Sequence, residues 1–151
     1  MKATSKQIED FVNEKNFLFY GVSAVKGKFG NLVLKHLNDN GYGVFPVHPE
    51  LKNVIGIDCF NNPAELNQRM KCAIIVLSPE NTEIVVEELI KYGIRRIWIQ
   101  QRYESERALK MCEENGVEVI SGECILMFAA PVTLIHNIHK WINKITGKLP
   151  V

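Results

Sequence analysis

Along this chain the hydrophobic and polar positions switch repeatedly between two rhythms. The stretch "NFLFYGV", residues 16–22, is a continuous apolar run too short for a helix and closed by glycine, which predicts a strand buried on both faces. From about Lys28 to Asn40, Phe29, Leu32, Val33 and Leu37 recur at helical spacing, and "DNGYG" supplies a glycine stop. The alternation then repeats. "GVFPV" reads as a second strand ended by "HPE", "AIIVL" as a third ended by "SPE", "RIWIQQ" as a fourth and "VEVIS" as a fifth. Between them, residues about 81–92 and 104–115 have helix composition, closed by glycine in "KYG" and "ENG". Ahead of the first strand, Thr4 and Gln7 have the spacing of a capping box, and Ile8, Phe11 and Val12 form one apolar stripe, so a short helix is expected at about 4–15. Residues 50–71 predict a loop with one short strand and a short helix opened by Asn62 and Pro63. At the far end, Pro131 opens and Gly147 closes a helix whose Ile135, Ile138, Ile142 and Ile145 form a narrow stripe suited to packing on the sheet.

Strands alternating with helices imply right-handed crossovers and a sheet covered on both faces, a doubly wound α/β three-layer sandwich with five mostly parallel strands. One domain spans residues 1–151: an N-terminal helix (1–15), an α/β core (16–121) and a C-terminal segment with its helix (122–151). Composition narrows the partners. With 46% hydrophobic and 23% charged residues and a net charge of only +1, the chain can bury one core but has no overall basic field for nucleic acid or an anionic membrane. Any anion must be bound locally. Apolar runs such as "CAIIVL" and "ILMFAA" fall far short of the ~20 residues of a bilayer span. The charged amino terminus lacks the apolar centre of a signal peptide, which predicts a cytoplasmic protein. Cys59, Cys72, Cys112 and Cys124 form neither a CxxC pair nor a zinc pattern and are expected as reduced thiols.

In open parallel sheets ligands bind beyond the carboxyl ends of the strands, where the strand order reverses. Four such ends are chemically unusual here: Gly21-Val22-Ser23, His48-Pro49, Ser78-Pro79 and Gln100-Gln101. Any one of them is explained by turn chemistry alone; all four together favour a cleft. The first is the most specific. A glycine turn leading into a helix amino terminus presents free backbone N–H groups to a phosphate; Lys26 and Lys28 add charge, Ser23 a hydroxyl, and Gly27 and Gly30 allow close backbone approach. The loop is not the GxGxxG dinucleotide fingerprint, because Ser23 stands where the second glycine belongs. Nor does the second strand end in the acidic residue that would take ribose hydroxyls, since His48 and Pro49 stand there with Glu50 only beyond them. A larger phosphate-bearing ligand fits better.

The stretches "GVSAVKGKFGN", "GYGVFPVHPE", "IIVLSPENTEIVVEELIKYGIRRIWIQQ" and above all "GECILMFAAPV" with its "IHKWINKITGKLP" ending resemble the single-domain CoA-binding proteins related to the CoA-binding domain of the succinyl-CoA synthetase α subunit. The resemblance covers nearly the whole chain and implies a Rossmann-like domain with coenzyme A as its cofactor. On matching positions it implies that Gly21, Ser23, Lys26, Lys28, Phe29 and Gly30 hold the pyrophosphate region and that His48 and Pro49 flank the nucleotide. It further implies that Ser78, Pro79, Thr82, Gln100 and Gln101 line the path of the pantetheine arm. In the synthetase this domain works beside a ligase domain carrying a phosphorylated histidine. These 151 residues show no counterpart of it, so ligase activity is not among the expectations.

No catalytic or metal-ligating set emerges. Cys124 follows the acidic Glu123 and precedes the apolar "ILMF" run, both of which disfavour a thiolate. His136 and His139 sit three apart without a clear third ligand and read as surface polar residues. Trp98 reads as core. Trp141, beside the isoleucine stripe, leaves room for a partner helix, and a homo-oligomer is among the assemblies the chain admits. The expectation is a protein that binds CoA or an acyl-CoA without evident chemistry of its own. Two alternatives stand beside it: an NAD(P)-dependent oxidoreductase, and a protein–protein interaction module with a vestigial cleft.

Overall fold

Thr4 opens the first helix as its spacing to Gln7 predicts: the Gln7 N–H donates to Thr4 Oγ1 (3.1 Å) and the Thr4 N–H donates to Gln7 Oε1 (2.8 Å). The computed structural model describes residues 2–66 and 70–131. In chain order its elements are α1 (Ser5–Asn13), β1 (Asn16–Tyr20), α2 (Phe29–Asp39), β2 (Gly43–Val47), β3 (Asn53–Val54), β4 (Ile57–Asp58), β5 (Cys72–Ile75), α3 (Pro79–Lys91), β6 (Arg96–Ile99), α4 (Glu106–Glu114) and β7 (Glu118–Ile120). The apolar runs become a five-stranded sheet in the order β2-β1-β5-β6-β7, with every neighbouring pair parallel. The fold is Rossmann-like α/β.

Side chains of each strand alternate between two cores. Phe17, Phe19, Ile74 and Trp98 pack with Phe11 of α1 and with Val33, Leu34 and Leu37 of α2. Leu18, Ala73, Ile75, Ile97 and Ile99 pack with Val85, Val86 and Leu89 of α3 and Ala108 and Cys112 of α4. Trp98 is fully buried, its ring 5.5 Å from that of Phe11 and 6.0 Å from that of Phe128. The proline in "GVFPV" also finds its reason. β2 is an edge strand, and Pro46 turns its missing N–H outward while its carbonyl accepts from the Phe60 N–H (2.8 Å).

Residues 50–71 depart from expectation. In place of one strand there is a small antiparallel hairpin, β3–β4, while the short helix opened by Asn62 and Pro63 is present as a single 3-10 turn, Pro63–Glu65, capped by Asn62. The hairpin turn is Ile55-Gly56, both at positive φ (46° and 81°), with the Gly56 N–H donating to Asn53 Oδ1. A β-branched residue in that conformation is uncommon, so "IG" carries none of the signal that "NG" would. Downstream of β7, the chain is tied back onto the sheet. Trp98 Nε1 donates to the Glu123 carbonyl (3.1 Å), and the Tyr42 hydroxyl donates to that of Ala130 (2.6 Å). The terminal helix, its isoleucine stripe, Trp141 and the pair His136 and His139 lie outside the described residues. Among the described residues, no helix is long and apolar enough to cross a membrane.

The sheet order places a reversal between β1 and β5, because the chain crosses from β1 to one neighbour, β2, and later enters the other. A crevice at the carboxyl ends of these two strands follows from that topology.

Candidate functional site

Tight backbone packing shapes the β1–α2 connection. Gly21 has φ +134°, and a Cβ there would lie 2.3 Å from the Val76 carbonyl oxygen. Gly30, in the first turn of α2, comes closer still: its Cβ would lie 1.9 Å from the Gly21 carbonyl oxygen. The helix start is thus pressed onto the end of β1, and no other residue type fits at Gly30 without displacing backbone. Between the two glycines the loop is held by a side chain. Asn31 is buried and pairs with Ser23 in both directions, its Oδ1 accepting from the Ser23 N–H (2.9 Å) and its Nδ2 donating to the Ser23 carbonyl (2.8 Å). Ser23 Oγ in turn accepts from the Val25 N–H (3.1 Å).

This clamp leaves the outer loop free. Lys26, Gly27 and Lys28 are exposed, and Lys28 is the N-cap of α2 with no side-chain capping bond. The N–H groups of Phe29 and Gly30 begin α2 and have no acceptor within the helix. An anion placed there would meet two free donors, the positive end of the helix dipole and two flanking ammonium groups. Phe29 lies parallel to Tyr103 from the β6–α4 connection (centroids 6.4 Å apart, 5° between planes). It forms an aromatic edge beside the loop.

On the α3 side of the sheet a cleft of about 390 Å³ opens against Gly21, His48, Pro49, Asn61, Asn81 and Glu88, with Tyr20 in its wall. His48 is oriented by its own turn: Nδ1 accepts from the N–H groups of Glu50 and Leu51, both at 3.0 Å. The ring proton is therefore on Nε2, available to a ligand. Ser78 and Pro79 are exposed at the start of α3, and Ser78 makes no capping bond. Of the expected residues, Gly21, His48 and Pro49 line this cleft, while Ser78 and Pro79 lie between its lining residues Leu77 and Asn81 in the chain.

Three other members of the expected set hold the scaffold. Thr82 is fully buried and its hydroxyl donates to the Leu77 carbonyl (3.0 Å), so it closes the β5–α3 turn from within. Gln100 is buried, and its Oε1 accepts from the Ile125 N–H (3.1 Å). Gln101 is exposed and its N–H donates to the Glu123 carbonyl. Gln100 and Gln101 therefore dock the "GECILMF" segment onto β6. Three contributors escape a reading by residue type: Asn31, Tyr20 and Glu88. Asn31 is betrayed only by being a polar residue on the apolar stripe of α2, and Tyr20 only by being the one hydroxyl-bearing residue of β1.

The thiols take no part in this geometry. Burial pushes Cys72 up to about 12, with smaller opposing effects of Arg96 and the nearby carboxylates, and pushes Cys112 up to about 11. Cys59 is also raised, by burial first and then by Asp58. Cys124 caps a 3-10 turn of only three residues, too short to supply a helix dipole. Iodoacetamide at pH 8 is expected to leave Cys72 and Cys112 unmodified in the native protein and to label all four thiols in denaturant, with Cys124 reacting no faster than a free thiol. Peptide mass mapping checks this. Rapid native labelling of Cys72 or Cys112 would contradict the burial argument. Among the described residues, no group of three or more His, Cys, Asp or Glu side chains could hold a metal ion.

Comparisons with known proteins bear on the fold and the family. A family model described as a CoA binding domain matches residues 15–130. An uncharacterized protein of Bacillus subtilis, YneT, is 27% identical over 124 residues, covering 82% of this chain and 90% of its own length. An ADP-forming acetate–CoA ligase of Archaeoglobus fulgidus is 23% identical over 124 residues, which cover 76% of this chain but 18% of the ligase. Among solved structures, a conserved hypothetical protein from Pyrococcus furiosus superimposes with a TM-score of 0.68 at 31% identity, covering 74% of this chain and 96% of that one.

Proposed function

The chain belongs to the CoA-binding domain family, and from that premise we propose that it binds coenzyme A or an acyl-CoA across the carboxyl ends of β1, β2 and β5. The observation that carries this reading is the Asn31-clamped loop, which leads from Gly21 and Val22 in the cleft lining to the free N–H groups that begin α2, with Lys26 and Lys28 exposed along the way. The pyrophosphate lies on the loop. The nucleoside enters the cleft between His48-Pro49 and α3, and the pantetheine arm leaves past Ser78 and Pro79. Phe29, through its stack on Tyr103, fixes the first turn of α2 rather than touching phosphate directly. Binding is the whole of the function proposed.

A thermal-shift series tests the ligand class. A ligand selective for the native state stabilises by RT ln(1 + [L]/Kd), about 2.7 kcal/mol at a hundredfold excess over Kd. CoA is expected to raise the midpoint more than NAD, NADP or AMP at equal concentration. Equal or greater stabilisation by NAD would favour a dinucleotide enzyme, and no response to any of them would favour an interaction module.

Loop charge gives a second, sharper test. Lys26→Ala and Lys28→Ala should each weaken CoA binding severalfold while leaving the unliganded midpoint nearly unchanged, because exposed charges contribute little to folding. Affinity of the unmutated protein should fall as salt rises, through screening of the same contacts. Calorimetric titration at two ionic strengths measures both. Salt-independent binding unaffected by either substitution would remove the loop from the site.

A further inference from the structure

One buried polar atom in the cleft wall has no explanation in the fold. Tyr20 is 4% exposed, and its hydroxyl is the single buried side-chain nitrogen or oxygen among the described residues that lacks a hydrogen-bond partner. Leaving such a group unsatisfied is costly, and folded proteins rarely do so without a use for it. Glu88 lines the same cleft from α3, half-buried, and forms no side-chain hydrogen bond or ion pair among the described residues. Burial raises the Glu88 carboxyl above its ordinary range. Burial, reinforced by Glu88 and Tyr92, likewise raises the Tyr20 phenol and keeps it protonated, a donor. A donor and an acceptor thus stand idle in one pocket.

Their chemistry limits what can satisfy them. A phosphate against Glu88 would be repelled, so the anionic part of the ligand belongs on the lysine-bearing loop. An aliphatic group would strip water from both polar groups and return nothing. The complement is a neutral planar edge that offers an acceptor beside a donor. We propose that Tyr20 and Glu88 are specificity-determining residues of this cleft, the phenol donating to a ring nitrogen and the carboxylate accepting from the exocyclic amine of an adenine ring. This inference rests on the CoA reading and deepens it by assigning the base-reading groups.

Replacing adenine by hypoxanthine turns the exocyclic amine into a carbonyl, which faces Glu88 with like charge instead of a donor. The unmutated protein should therefore bind CoA at least tenfold more tightly than its hypoxanthine analogue in calorimetric titration. Tyr20→Phe removes one oxygen at constant shape. It should weaken CoA binding about tenfold while the unliganded thermal midpoint stays level or rises, the reverse of what a structural tyrosine would show. Glu88→Gln, whose amide can donate to the hypoxanthine carbonyl, should shrink the preference for CoA over the analogue. Unaltered CoA affinity in both variants, or no base preference in the unmutated protein, would overturn the assignment and leave the CoA reading standing. Failure of the unmutated protein to bind CoA at all would overturn both.

Discussion

Gly30→Ala is expected to lower the thermal midpoint by roughly 2–8 °C, from about 2–3 kcal/mol of overpacking less about 1 kcal/mol of helix propensity, at about 2–4 °C per kcal/mol for a chain of this size. Two effects oppose each other. Alanine is the better helix former by about 0.8–1.0 kcal/mol. The added Cβ, however, would stand 1.9 Å from the Gly21 carbonyl oxygen, and that obstacle is backbone, not the yielding tip of a side chain. Overpacking wins. To make room, α2 must slide away from β1, which carries the Phe29 and Gly30 N–H groups out of register with the loop. CoA binding should therefore be lost along with stability. Gly27→Ala is the control: a Cβ there meets nothing within 4 Å, so only its φ of +82° opposes the change. That left-handed conformation costs alanine about 1–2 kcal/mol, without any displacement of the helix. Circular-dichroism melts paired with CoA titration separate the two variants, since only Gly30→Ala displaces the helix and its N–H groups, and a Gly30→Ala protein as stable as the unmutated one would refute the close-packing account.

Much of this architecture is readable in the chain because the two rhythms rest on local physics. β1 and β5 are apolar on both faces since helices cover both faces, and "DNGYG", "KYG" and "ENG" mark helix ends because Gly41, Gly93 and Gly116 sit at positive φ there. The β3–β4 hairpin escapes the same reading, because its turn places the exposed, β-branched Ile55 at a positive φ that its residue type does not signal. Among the residues of the proposed site, the loop before α2 is legible as a glycine turn because Gly21 and Gly27 sit at positive φ there. Thr82 and Gln100 are harder. Their polarity suggests ligand contact, yet Thr82 closes the β5–α3 turn and Gln100 docks the 122–130 segment. Which of these roles a polar residue plays depends on the direction of its side chain, and that is set by neighbours far away in sequence. Asn31 shows the converse. It lies on a helix, eight residues beyond Ser23, and only the folded loop reveals that it shapes the proposed anion site.

Asn31→Asp should damage ligand binding far more than it damages stability. The substitution keeps one carboxylate oxygen to accept from the Ser23 N–H. Its second oxygen replaces Nδ2, which donates to the Ser23 carbonyl and, at 3.4 Å, to that of Val25. Two acceptors then face each other, at a cost of about 1–3 kcal/mol for the buried groups left unsatisfied. Aspartate in the first turn of α2 recovers about 0.3–1 kcal/mol from the helix dipole, so the net loss of stability is modest. Binding suffers more. At an effective dielectric near 20, a carboxylate opposes a phosphate by about 2 kcal/mol per unit charge even across a separation of about 8 Å. Added to the distorted loop, this predicts a 30- to 100-fold loss of CoA affinity. Asn31→Ala, which breaks the clamp without adding charge, should lose about tenfold. Raising the salt should narrow the gap between the two variants, since only the charge term is screened. Calorimetric titration of both at low and high ionic strength reads these terms separately. Equal affinity of Asn31→Asp and the unmutated protein would show that no phosphate lies on this loop.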